Sequence, residues 1–156
     1  MLKKPIELDR IDERLLAELS SEARVPVAEL ARRVGLSKTP VQARLKRLEE
    51  QGVIRGYRAM LDPVKLGRDH VAFVEVKLSD TREKALSAFN TAVAAVPEVE
   101  ECHMIAGAFD YLLKVRTRDM ARYRHVLGER ISSLPHVSHT STHVVMQAVK
   151  DVGIVT

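Results

Sequence analysis

Between positions 37 and 58 the chain carries Ser37, Lys38, Thr39, Gln42, Ala43, Arg44, Lys46, Arg47, Arg55 and Arg58. The amide of Gln42 can pair with the edge of an adenine, and the methyl groups of Thr39 and Ala43 can meet that of a thymine. The lysines and arginines around them can neutralise phosphates. The charge is local. Residues 32–58 hold eight basic side chains against two acidic ones, whereas residues 63–156 hold twelve against eleven, in a chain of 156 residues with formal charge +4. A polyanionic partner, double-stranded DNA, is the chemistry this pattern suits.

A second group lies in the run AGAFDY at 106–111. Gly107 permits close approach of a ligand to the backbone, the turn offers N–H donors, and Asp110 supplies a carboxylate. Thr140 and Thr142 share parity on a later strand pattern and can add hydroxyls. A zwitterion such as a free amino acid needs this mixture of donors and acceptors. Cys102 next to His103 suggests a nucleophile and its base, but neighbours on a strand point to opposite faces. His139 and His143 lie about 13 Å apart along an extended strand, too far to share a metal ion. Glu100-Glu101 reads as a solvated or interface pair, and no phosphate-cradling glycine loop is present. Enzyme, metal and cofactor chemistry are therefore not expected. A small α+β barrel enzyme remains the weakest alternative.

Three helical stripes must position the basic group. Leu8, Ile11, Leu15 and Leu19 mark the first, with Asp9 or Asp12 to cap or charge its start. Val27, Leu30, Ala31 and Val34 mark the second, opened by Pro26 and closed by Gly35. Val41, Leu45 and Leu48 mark the third, for which Ser37 is the expected N-cap. Pro40 then falls in the first turn, where its missing N–H leaves no intrahelical bond unmade. The run VIRGYRAML (53–61) predicts two short strands around Gly56, and residues 63–70 read as a linker. Beyond it, VAFVEVKL (71–78), a helix over 82–96, strands at 99–107 and 110–117, a helix striped by Met120, Tyr123, Leu127, Ile131 and Leu134, and a strand over 137–150 make a βαββαβ order. Val71, Phe73 and Leu112 fall on the sheet face away from the helices, and a second copy of the sheet is the simplest cover.

The stretch LDRIDERLLAELSSEARVPVAELARRVGLSKTPVQARLKRLEEQGVIRGYRAMLDP resembles the winged helix-turn-helix of the Lrp/AsnC, or feast/famine, regulators. The resemblance continues through FNTAV, EECHMIAGAFDYLLKVR, DMARYRHVLGE and THVVM, and is closest to the leucine-responsive branch. It implies an α+β chain. In the arrangement it implies, a winged helix-turn-helix spans 1–62, a linker 63–70, and a ferredoxin-like domain 71–156, of the kind that regulates amino acid metabolism (RAM), is expected to bind an effector and dimerise sheet to sheet. It also implies further assembly into tetramers or octamers. The effector pocket it implies lies at Gly107, Ala108, Phe109, Asp110 and Tyr111 with Thr140 and Thr142, for a leucine-like or proline-like amino acid. Relatives that respond to leucine often carry Gly-Asp-Phe-Asp where this chain has Gly107-Ala108-Phe109-Asp110, a departure that bears on effector choice. An architectural DNA-wrapping protein without an effector is the alternative. The single cysteine, the lack of an apolar run behind MLKKPIELDR and the lack of ~20 consecutive apolar residues predict a cytoplasmic protein with no membrane span.

Overall fold

The computed structural model of the chain describes residues 5–151. These fall into two compact units divided between Ala59 and Met60, and each unit has its own apolar core.

The first unit is three helices, α1 (Arg10–Ser21), α2 (Val27–Val34) and α3 (Lys38–Glu50). The stripe spacing decides what they bury. Leu15, Leu30, Ala31, Val34 and Val41 close one cluster, with Ile11, Leu19 and Leu45 at its margin. Asp9 caps α1: its Oδ1 accepts from the Ile11 and Asp12 N–H groups, and Asp12 Oδ2 accepts from the Asp9 N–H in return. Gly35 ends α2 in the left-handed region at φ 75°, so the Leu36 N–H reaches back to the Ala31 carbonyl at 2.9 Å. A side chain there would be strained by the backbone itself, although nothing lies within 4 Å of a built Cβ. This glycine makes the tight turn between α2 and α3.

Residues 53–60 contain no paired strands, contrary to the sequence expectation. The Val53 and Ile54 N–H groups bond instead to the Leu48 carbonyl, and the Tyr57 hydroxyl donates to Glu49 Oε1 at 2.9 Å. The segment is thus tied to α3 rather than to itself. The expected linker also has structure of its own. Asp62 Oδ1 accepts from the Val64 and Lys65 N–H groups, and residues 63–67 coil into a turn belonging to the second unit.

The second unit is a four-stranded antiparallel sheet in the order β2-β3-β1-β4, with β1 His70–Leu78, β2 Val99–Met104, β3 Tyr111–Thr117 and β4 Val137–Val144. Helices α4 (Glu83–Ala94) and α5 (Met120–Val126) complete a ferredoxin-like βαββαβ plan. Ala72, Val74, Val76 and Leu78 of β1 alternate into the core with Leu113 and Val115 of β3, meeting Phe89, Val93, Tyr123, Val126 and Ile131. Past Val126 the last helix widens into a π-helical turn, Leu127–Ile131, where the Ser132 N–H bonds to the Leu127 carbonyl at 2.8 Å. The last strand ends at Val144, six residues before the 150 expected from sequence, and the final ladder-side bond is from the Val145 N–H to the Val71 carbonyl.

Candidate nucleic-acid interface and ligand-binding turn

Helix α3 buries Val41 and Leu48 completely and Leu45 in part. At about 100° per residue this turns Thr39, Gln42, Ala43 and Lys46 outward, and all four are exposed. Ser37 occupies the N-cap position, but its hydroxyl makes no capping bond. Pro40 is the third helical residue and has no N–H to offer the cap, which leaves that of Thr39 as the one remaining donor at the second or third position. The hydroxyl is left exposed at the start of the helix beside Lys38.

The eight cations of residues 32–58 divide into two sets. Arg32 bonds Glu29, and Arg33 holds Glu18, Glu22 and Glu29, tying α2 to α1. Arg44 bonds Asp9 at 2.6 Å and Asp12 at 2.8 Å. Arg47 bonds Asp12 at 2.5 Å. Arg44 and Arg47, expected from sequence to be phosphate contacts, are therefore engaged by the acids at the start of α1. Lys46 has only a loose 3.8 Å approach to Glu50, and Lys38, Arg55 and Arg58 enter no ion pair among the described residues. Half of the apparent positive patch is thus neutralised within the unit.

Asp12 is the centre of this arrangement, with 1% of its side chain exposed. Burial alone would raise its pKa, but the hydrogen bonds from Arg44 and Arg47 outweigh it and hold the carboxyl below the usual 3.8. Its contribution to stability is therefore complete above the unfolded value of 3.8 and is lost as the pH falls through the lowered native value.

In the second unit, the turn at 105–110 leads into β3. Gly107 and Ala108 are exposed and Phe109 is half-buried. A Cβ built on Gly107 would meet only Ile105 Cγ2 at 3.6 Å, an ordinary contact, so neither space nor a positive φ demands glycine there. Asp110 is less available than the sequence suggests. Its Oδ2 accepts from the Leu78 N–H at 2.7 Å, where the β1–β4 register shifts between Lys77 and Leu78, and its own N–H bonds to the Val76 carbonyl. One carboxylate oxygen thus serves the sheet.

Tyr111 is a core residue, 2% exposed. It begins β3 and, by parity with Leu113 and Val115, turns under α4 against Phe89 with ring centroids 4.4 Å apart. Burial raises its pKa; Asn90 lies near its hydroxyl, but no hydrogen bond of normal geometry forms. Thr140 pairs with Val76 and Thr142 with Val74, so both face the helices. Thr142 is occupied there by the Tyr123 hydroxyl at 2.5 Å. Thr140 lies level with Tyr111 across β1, the nearer of the two threonines to the turn. Cys102 pairs with Leu113 on the helix side and His103 with Leu112 on the opposite face, as alternation requires. The Cys102 thiol is pushed up by burial, away from a reactive thiolate.

Residues 8–55 match the family model described as winged helix-turn-helix DNA-binding, and residues 71–155 match the Lrp/AsnC ligand binding domain. A proline dehydrogenase transcriptional activator from Rhizobium radiobacter is 66% identical over 151 residues, covering 97% of both chains. The leucine-responsive regulatory protein of Escherichia coli strain K12 is 48% identical over 92% of this chain and 88% of its own. A transcriptional regulator from Neisseria meningitidis, solved in complex with L-Met, superposes with a TM-score of 0.86 at 32% identity, covering 93% of this chain and 94% of that one. The helix-turn-helix, the ferredoxin-like sheet and these matches agree: the chain belongs to the Lrp/AsnC family and is a DNA-binding transcription regulator.

Proposed function

We propose that this regulator reads DNA with Thr39, Gln42 and Ala43 of α3 in the major groove, while Ser37, Lys38, Lys46, Arg55 and Arg58 contact flanking phosphates. The observation that carries this reading is the exposed polar face of α3 opposite Val41 and Leu48, flanked by Lys38, Arg55 and Arg58, which enter no ion pair among the described residues. Gln42→Ala should cost about 1–3 kcal/mol at one base pair and relax discrimination there, leaving affinity for unrelated DNA unchanged. Fluorescence anisotropy on operator variants measures this; equal losses on every sequence would remove Gln42 from base reading.

The second unit binds a small amino acid at the 105–110 turn and, as a homo-oligomer, passes that signal to DNA binding. A glycine at 107 that the fold does not require supports close approach of a ligand or neighbouring chain to the backbone. Asp110 keeps one oxygen for an ammonium group while the other anchors Leu78. Proline is the first candidate, supported by the identity with the proline dehydrogenase activator; leucine and methionine are the comparisons. The protein acts in the cytoplasm as a regulator, with no catalytic role, and no helix among the described residues is long and apolar enough to cross a membrane. Calorimetric titration of the whole protein with L-proline, L-leucine and L-methionine should give heat with proline and a shift in operator affinity. Absence of binding by all three would favour the architectural reading, since ligand coupling requires differential binding between states.

A further inference from the structure

We propose that Asp12 is a positioning residue that sets sequence discrimination, by holding Arg44 and Arg47 away from non-specific phosphate contact; this rests on the DNA-binding reading of α3. Arg44 and Arg47 are one turn apart on α3, so their side chains share a flank and reach the same anchor. Arg44 Nη1 meets Asp12 Oδ1, Arg47 Nη2 meets Asp12 Oδ2, and Arg44 Nη1 also meets Asp9 Oδ2. Two guanidiniums thus lie against two carboxylates, and only Asp12 is buried.

Attaching α1 to α3 does not need these charges, because Leu15 and Val41 already pack in one apolar cluster. What the ion pairs add is directional. Two ties on one flank resist rotation of α3 about its own axis, which fixes where Gln42 and Thr39 point. They also occupy cations that would otherwise strengthen binding to any duplex. Arg47 keeps 44% of its side chain exposed and lies one turn beyond Ala43 and beside Lys46, within the same outward surface. Phosphate contacts raise affinity for all sequences, whereas discrimination is the difference between operator and other DNA. Withholding two arginines lowers the shared term and leaves base reading intact.

The test is Asp12→Asn in the full-length protein, with operator and unrelated duplexes titrated between 50 and 200 mM salt. The amide keeps the shape but releases the guanidiniums. Non-specific affinity at low salt is expected to rise about three- to tenfold, and the salt slope to steepen by about 0.9 for each phosphate gained. The operator-to-random ratio should fall, and Asp12→Glu, which restores the charge, should move the slope back toward wild type. If Asp12→Asn does not fold, Asp9→Asn decides, since its amide still caps α1 while one partner of Arg44 is lost; a smaller steepening is then expected. Affinities that fall in parallel on both duplexes, with the slope unchanged or shallower in the folded variant, would overturn the proposal and leave Asp12 a structural tie. Wild-type protein that binds neither duplex would instead remove the DNA-binding reading of α3 itself.

Discussion

Leu15→Ala is expected to abolish operator binding at 25 °C while the second unit stays folded. Leu15 is fully buried among Val25, Leu30, Ala31, Val34 and Val41, drawing together all three helices. Removing a leucine from such a site costs about 2–5 kcal/mol, because the transfer term is joined by the cavity left behind. A unit that ends at Ala59 has roughly 3–9 kcal/mol in total at typical stabilities per residue. At the middle of both ranges the substitution therefore removes about half of what holds α3 in place. The second unit has a separate core around Val74, Phe89, Leu113 and Val126, which Leu15 does not enter. Scanning calorimetry should lose or lower one transition and retain the other, and anisotropy should show no specific complex. A variant with wild-type operator affinity and unchanged melting would contradict this account of the core.

Local periodicity made much of this architecture legible. Leu15, Val41 and Leu48 fall where a 3.6-residue repeat places them, and Val74 and Val76 where a two-residue repeat does. The exposed set on α3 followed directly from its apolar stripe. What sequence reasoning lost was long-range or at a boundary. Arg44 and Asp12 are 32 residues apart, and Arg47 and Asp12 are 35 apart. Counting charge along the chain treats these cations as free, and nothing local says otherwise until α1 packs on α3. Asp9 and Asp12 were visible as capping candidates, yet capping engages only part of each carboxylate, and the remaining oxygens were the missing signal. Tyr111 lies at a boundary of a different kind. Read as the last residue of AGAFDY it belongs to a turn; read with Leu113 and Val115 it alternates into the core. That alternation was available in the sequence and places its ring in the core. The shortened final strand and the absent hairpin at 53–60 have a common cause, since strand length depends on having a partner to pair with, and propensity does not supply one.

Phe73→Asp is expected to convert the protein to monomers and to weaken operator binding about 10²- to 10⁴-fold through loss of paired half-site contact. The helices cover one face of the sheet, and the other carries Phe73, 36% exposed, with Leu112 half-buried beside it. Around them lie Glu75 bonded to His143 at 3.1 Å and Glu101 bonded to His103 at 3.2 Å, so these two carboxylates already have partners within one protomer. An apolar centre with internally bonded carboxylates around it suits a two-fold contact with a second copy, in which one patch meets the same patch. In register, Phe73 lies between Lys114 on β3 and His143 on β4. An aspartate at 73 therefore finds the Lys114 ammonium beside it within its own sheet, and the protomer should fold. Within such a contact it would bury a carboxylate on each copy in place of a ring, at the cost of desolvating both. Sedimentation at micromolar concentration should give the monomer mass for Phe73→Asp and a larger species for wild type. Anisotropy should then place the variant near the affinity of one helix-turn-helix for one half-site. If Phe73→Asp sediments with the wild-type mass, this face does not join the copies, and the surface that pairs the DNA-binding helices lies elsewhere on the chain.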